Sequence, residues 1–97
     1  MKIMRVDELA PGKGTTVKVG GQAVAVFNVG GSFHAIDDTC PHANGTLGEG
    51  HLSDCVVSCP LHFWEFDVRN GEYLDDPDMK VATYEIKIEN GDVLVRV

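Results

Sequence analysis

Three dipeptides punctuate this chain: Gly20-Gly21, Gly30-Gly31 and Asn90-Gly91. Each separates short runs rich in β-branched residues, and such pairs accept the backbone angles that a two-residue hairpin turn requires. Thr15 to Val19 (TTVKV) and Gln22 to Val29 (QAVAVFNV) flank the first pair, and Ser32 to Asp37 (SFHAID) follows the second. These runs predict a three-stranded meander. Val81 to Ile88 (VATYEIKI) alternates with period two and returns through Asn90-Gly91 as Val93 to Val97 (VLVRV), a terminal hairpin. Asp7 to Leu9 predicts a single helical turn, stopped by Pro11 and Gly12. No window carries the stripe of a long amphipathic helix. The expected fold class is therefore all-β, a small sandwich or partial barrel of antiparallel strands.

The middle of the chain changes character. Thr39 to Gly50 (TCPHANGTLGEG) is rich in turn formers and reads as a loop. Cys55 to Ser58 is a short apolar strand, Cys59 to Phe63 (CPLHF) a second loop, and Trp64 to Val68 a further strand. Asn70-Gly71 is a turn, and Asp75 to Asp78 (DDPD) reads as an acidic connection.

A chain of 97 residues is the size of one domain, taken here as residues 1–97, and its 43% hydrophobic content allows only a small core. A cofactor that crosslinks distant loops would add to its stability. The formal net charge of −7 argues against nucleic acid or an anionic membrane as a partner, since both are polyanions. No apolar run has the length of a transmembrane helix. Residues Lys2 to Leu9 alternate and carry charge, unlike the apolar core of a signal peptide, so the cytoplasm is the expected compartment.

The three cysteines are an odd number, and two of them sit beside histidines, which is the pattern of a metal site rather than of a disulfide framework. Four soft ligands form two compact pairs, Cys40-Pro41-His42 and Cys59-Pro60-Leu61-His62. Each pair brings one thiolate and one imidazole into a tight loop. Two cysteines and two histidines could build a tetrahedral zinc site. However, common zinc fingers pair like ligands locally, whereas the order here is Cys, His, Cys, His. That order suits a binuclear iron cluster in which both cysteines serve one iron and both histidines the other. His34 and His51 lack a cysteine neighbour and are expected to be structural. Cys55 lies four residues before Cys59, which on a strand would put both on one face; packing is its expected role.

The motifs C-x-H, at Cys40 to His42, and C-x-x-H, at Cys59 to His62, resemble the signature of Rieske [2Fe–2S] proteins. The early glycine-punctuated meander, the apolar Val56-Val57 before the second loop and the terminal hairpin match a small Rieske ferredoxin as well, so the resemblance covers nearly the whole chain. It implies a Rieske-type β fold with cluster-binding loops at about residues 38–50 and 59–66, and one [2Fe–2S] cluster held by Cys40, His42, Cys59 and His62. Some Rieske proteins add a disulfide between the two loops; the matching positions here are Gly45 and Leu61, so that bridge is absent. High-potential relatives also place a serine and a tyrosine hydroxyl after the second loop, where this chain has Trp64 and Phe66. With those donors missing, the expected potential lies near the low end of the family range, roughly −150 mV.

The resemblance further implies a carrier with no catalytic residue of its own. A flavoprotein ferredoxin reductase would load the electron, and a terminal oxygenase of the aromatic-ring-hydroxylating kind would receive it; a monomer is expected. The loop tips, Pro41 to Asn44 and Pro60 to Trp64, are the expected docking face, with Phe63 and Trp64 either contacting the partner or covering the cluster. Two alternatives stay open. One is the small subunit of an assimilatory NAD(P)H nitrite reductase; the other, of a different class, is a structural zinc-binding interaction module.

Overall fold

The structure is a computed structural model that describes residues 1–41, 45–61 and 63–96. Among these, eleven strands are built: β1 (Lys2–Arg5), β2 (Lys13–Val19), β3 (Gln22–Val29), β4 (Ser32–Asp37), β5 (His51–Ser53), β6 (Val56–Ser58), β7 (Glu65–Asp67), β8 (Glu72–Tyr73), β9 (Asp76–Lys80), β10 (Thr83–Glu89) and β11 (Asp92–Arg96). The fold is all-β, as the period-two patterning requires.

The strands form two antiparallel sheets. The first has the order β1-β11-β10-β4-β3-β2, and the second is a meander, β5-β6-β7-β8-β9. The three dipeptides stand at the hairpin turns they predict. Val19 pairs with Gln22, Val29 with Ser32 and Glu89 with Asp92, and both residues between each pair have positive φ. Turns of this kind match the right-handed twist of the flanking strands.

Strand β3 is the wall between two cores. Val24 and Val26 face one cluster with Met4, Leu9, Val19, Ala35, Val93 and Val95. Ala25 and Phe27 face the other, with Ile36, Cys40, Leu47, Val57, Cys59 and Phe66. Successive side chains of a strand point to opposite faces, so an uninterrupted apolar run is what a strand buried on both sides must carry. The second core contains both cysteines of the predicted site.

Four expectations need correction. Asp75 to Asp78 is not a connection: β9 occupies Asp76–Lys80 and pairs with β8, every one of its residues being exposed. An edge strand without a buried face needs no apolar alternation, so its acidic sequence hid it. The loop proposed for residues 39–50 contains a 3-10 turn at Leu47–Glu49, and β5 follows it. Cys55 lies in the turn between β5 and β6 rather than on a strand, so the same-face argument with Cys59 fails; it packs half-buried against the second core. The helical turn near Asp7 spans Val6–Glu8, after a strand at Lys2–Arg5 that pairs with β11.

Candidate metal centre

Two hairpin tips from neighbouring parts of the fold build the site. The first lies between β4 and β5. The Leu47 N–H donates to the Asp38 carbonyl at 2.7 Å, Thr39 bridges to Thr46, and the Cys40 N–H donates to the Gly45 carbonyl at 2.9 Å. The second lies between β6 and β7, where the Cys59 N–H donates to the Trp64 carbonyl at 2.7 Å and the Phe63 N–H donates to the Cys59 carbonyl at 3.1 Å. In both tips the cysteine closes the base, and its N–H reaches the carbonyl of the residue five positions on.

Cys40 and Cys59 are both fully buried and form no disulfide. The Cys40 side chain lies beside that of Cys59. Burial pushes the Cys59 thiol above its ordinary value; a hydrogen bond from the Leu61 backbone opposes this, and the Cys40 thiol beside it adds to it. The structure therefore brings together the two sulfurs that one iron would take, in the buried cluster that also holds Leu47, Val57 and Phe66. Two adjacent soft thiols suit an iron–sulfur group, which takes such ligands as thiolates. His42 and His62 lie outside the described residues, as do Ala43 and Asn44 of the expected docking face.

Glycine makes the close approach of the tips possible. A Cβ at Gly45 would sit 2.5 Å from the Cys59 sulfur and 3.6 Å from the Leu61 Cβ. The latter spacing falls within the ordinary range for bridged cysteines, so Gly45 and Leu61 are neighbours of the kind that an inter-loop disulfide joins in other proteins. Gly48 lies so close to Thr15 and Thr16 that a side chain there would collide with both. Buried Asp38 anchors this tip: its carboxylate accepts hydrogen bonds from Thr16 Oγ1 and the Gly48 N–H, each at 2.8 Å. Nothing local in the sequence singles out Asp38, because its partners come from two distant segments.

Aromatic side chains hold the second tip. Trp64 stacks on Tyr73, with ring centroids 4.3 Å apart and planes 7° from parallel, and Tyr73 leans against buried Phe66 at 5.5 Å. Tyr73 directs its hydroxyl at Asp75 Oδ2, 3.3 Å away. Burial and the Asp75 carboxylate both raise the Tyr73 phenol above its usual range. Trp64 is half-buried, whereas Phe63 is 75% exposed and holds a φ of 61°. That left-handed conformation costs a non-glycine residue about 1–2 kcal/mol.

His34 and His51 lie on strands, outside the two tips. His51 is exposed on β5, and His34 lies half-buried on β4. Burial lowers the His34 pKa below its ordinary 6.5, Arg69 lowers it further, and Asp67 opposes. Asp67 is itself held below the usual carboxylate range, chiefly by its hydrogen bond from Arg69. No helix among the described residues is long and apolar enough to cross a membrane.

Comparison with known proteins agrees with this geometry. Residues 1–85 match the Rieske [2Fe-2S] domain. Over 95 residues the chain is 43% identical to the ferredoxin component of biphenyl 2,3-dioxygenase from Rhodococcus jostii RHA1, covering 97% of this chain and 89% of that protein. Among solved structures, a chain in a complex of reduced oxygenase and oxidized ferredoxin of carbazole 1,9a-dioxygenase superposes with a TM-score of 0.91 at 33% identity, covering 99% of this chain and 100% of that one. A protein assigned as an NADH-dependent nitrite reductase small subunit from Mycobacterium tuberculosis superposes with a TM-score of 0.90 at 29% identity, covering 100% and 94%.

Proposed function

This chain belongs to the Rieske [2Fe-2S] family, and from that premise we propose that it is the ferredoxin component of an aromatic-ring oxygenase system, a one-electron carrier and not itself an enzyme. Its ligands are Cys40 and Cys59 through sulfur and His42 and His62 through ring nitrogen, all within one domain spanning residues 1–97. The observation that carries the reading is the contact between the two buried cysteine side chains, one at the base of each tip. A Rieske cluster, when bound, supplies reversible one-electron chemistry at a histidine-ligated iron.

The chain's own residues set the conditions for that chemistry. Cys40 and Cys59 share one buried apolar cluster with Leu47, Val57 and Phe66. The Leu61 backbone donates a hydrogen bond to the Cys59 sulfur and favours its thiolate. No hydroxyl stands at Phe66, and Tyr73 turns its own toward Asp75. Fewer donors to sulfur leave the reduced form less favoured, hence a low potential suited to a donor. A flavoprotein reductase loads the electron, and a terminal oxygenase receives it in the cytoplasm.

Family membership removes the mononuclear zinc alternative. The nitrite reductase reading draws on a shared fold at lower identity, whereas the 43% relative is a dioxygenase ferredoxin component. Purified protein tests the proposal: it should be coloured, with two irons and two acid-labile sulfides per chain, and should pass electrons from a reductase to an oxygenase. Co-purification with a sirohaem enzyme instead would favour the nitrite reductase reading.

A further inference from the structure

Two buried side chains among the described residues carry oxygen: Asn28, 4% exposed, and Asp38, 5% exposed. Both anchor loops. The Asn28 amide donates to the Leu9 carbonyl at 2.7 Å and accepts from the Gly31 N–H at 2.8 Å. Asp38 accepts from Thr16 Oγ1 and from the Gly48 N–H, each at 2.8 Å, and both bonds end on the same oxygen, Oδ1. An amide offers one such oxygen as well. Anchoring the first tip therefore calls for an acceptor at residue 38 and not for a charge.

A buried charge is costly unless an opposite charge compensates it. Both donors to Asp38 are neutral, and the ion pairs among the described residues use Asp92, Asp67 and Glu89 instead. The carboxylate also stands next to the metal site. Cys40 follows two positions later, so the two backbones are no more than about 7 Å apart. The Leu47 N–H donates to the Asp38 carbonyl, and Leu47 belongs to the buried cluster that holds Cys40 and Cys59. A charge that the anchor does not require, kept at a cost beside the site, has its use in the chemistry of that site.

We propose that the buried Asp38 carboxylate tunes the redox potential of the site: its negative charge opposes entry of the electron and holds the potential down. Two ferric ions, two sulfides and two thiolates sum to zero with neutral histidines, so one added electron leaves a net negative charge. Salt screens buried charges less than exposed ones, so the repulsion persists at physiological ionic strength. This cause is separate from the missing hydroxyl at Phe66. The inference rests on the cluster reading above, and it names a residue that tunes the cluster without ligating it.

The test is a redox titration of holoprotein near neutral pH, with iron, sulfide and Tm measured on each sample. Asp38→Asn should keep the wild-type spectrum and shift the reduction equilibrium about tenfold toward the reduced form, an upward move of about 59 mV for a one-electron couple. Asp38→Ser is neutral too but reaches less far. It should lose Tm and still shift the equilibrium by a similar factor. Glu49→Gln removes an exposed carboxylate from the same tip and should shift it less than about twofold. An unchanged potential in Asp38→Asn would overturn the inference. So would a shift in Asp38→Ser alone, which would follow the lost anchor, or an equal shift in Glu49→Gln, which would follow net charge. Loss of the cluster from both neutral variants would make the charge part of the anchor and overturn it as well. Wild type without iron, sulfide and a reversible one-electron couple would instead remove the cluster reading itself.

Discussion

Gly45 and Cys59 are locked together across the two loop tips: a methyl group on Gly45 would lie 2.5 Å from the Cys59 sulfur. The sulfur is fully buried, so it has little room to retreat. Gly45→Ala should cost about 1–3 kcal/mol through overpacking, with the strain falling on the thiol proposed to hold iron. Visible absorbance per chain, measured beside Tm, checks this. Full cluster content with an unchanged Tm would mean that the tips part more easily than the geometry implies.

The stack of Trp64 on Tyr73 ties the second tip to the body of its sheet. Aromatic pairs add about 1 kcal/mol beyond the area they bury. Tyr73→Phe keeps the ring and should leave the rate of cluster loss near wild type. Tyr73→Ala should speed it about fivefold or more. Bleaching of the visible spectrum in mild denaturant distinguishes them; equal rates for both variants would rule out the latch.

Phe66 is buried and brings no hydrogen-bond donor toward the sulfurs. The midpoint potential should accordingly lie near −150 mV, roughly the lower end for histidine-ligated clusters. Phe66→Tyr should move it upward. A wild-type value above about +100 mV would contradict the account.

Acid should weaken the fold in two stages. The lowered pKa of His34 means that the unfolded chain takes up a proton before the folded chain does, so stability is full above 6.5 and declines as the pH falls below it. Asp67 acts in the same direction at lower pH. Its carboxylate is favoured in the folded state, and that contribution disappears as the pH falls from 3.8 through its lowered folded value. His34→Gln should flatten the first stage in a series of holoprotein melting curves. A variant that tracks wild type from about pH 7 to 5 would show that His34 is not its source.

The sequence by itself determined the β class, the three glycine-bearing turns and the four candidate ligands. Those features are local: a turn is read from two residues, a strand buried on both faces from an apolar run such as Ala23 to Phe27, and a ligand pair from a few positions. The exposed edge strand Asp76–Lys80 escaped because no buried face imposed a pattern on it. Only the tertiary structure decided what lies between the ligand loops. A side chain at Gly45 is disfavoured because Cys59, from a different hairpin, occupies its space. Asp38 matters because Thr16 and Gly48 converge on it. Phe63 and Trp64, adjacent and chemically alike, part ways because Tyr73 stacks on Trp64, whereas Phe63 stands three-quarters exposed to solvent. Contacts between segments far apart in the chain leave no local period, and they exist only once the sheets have closed.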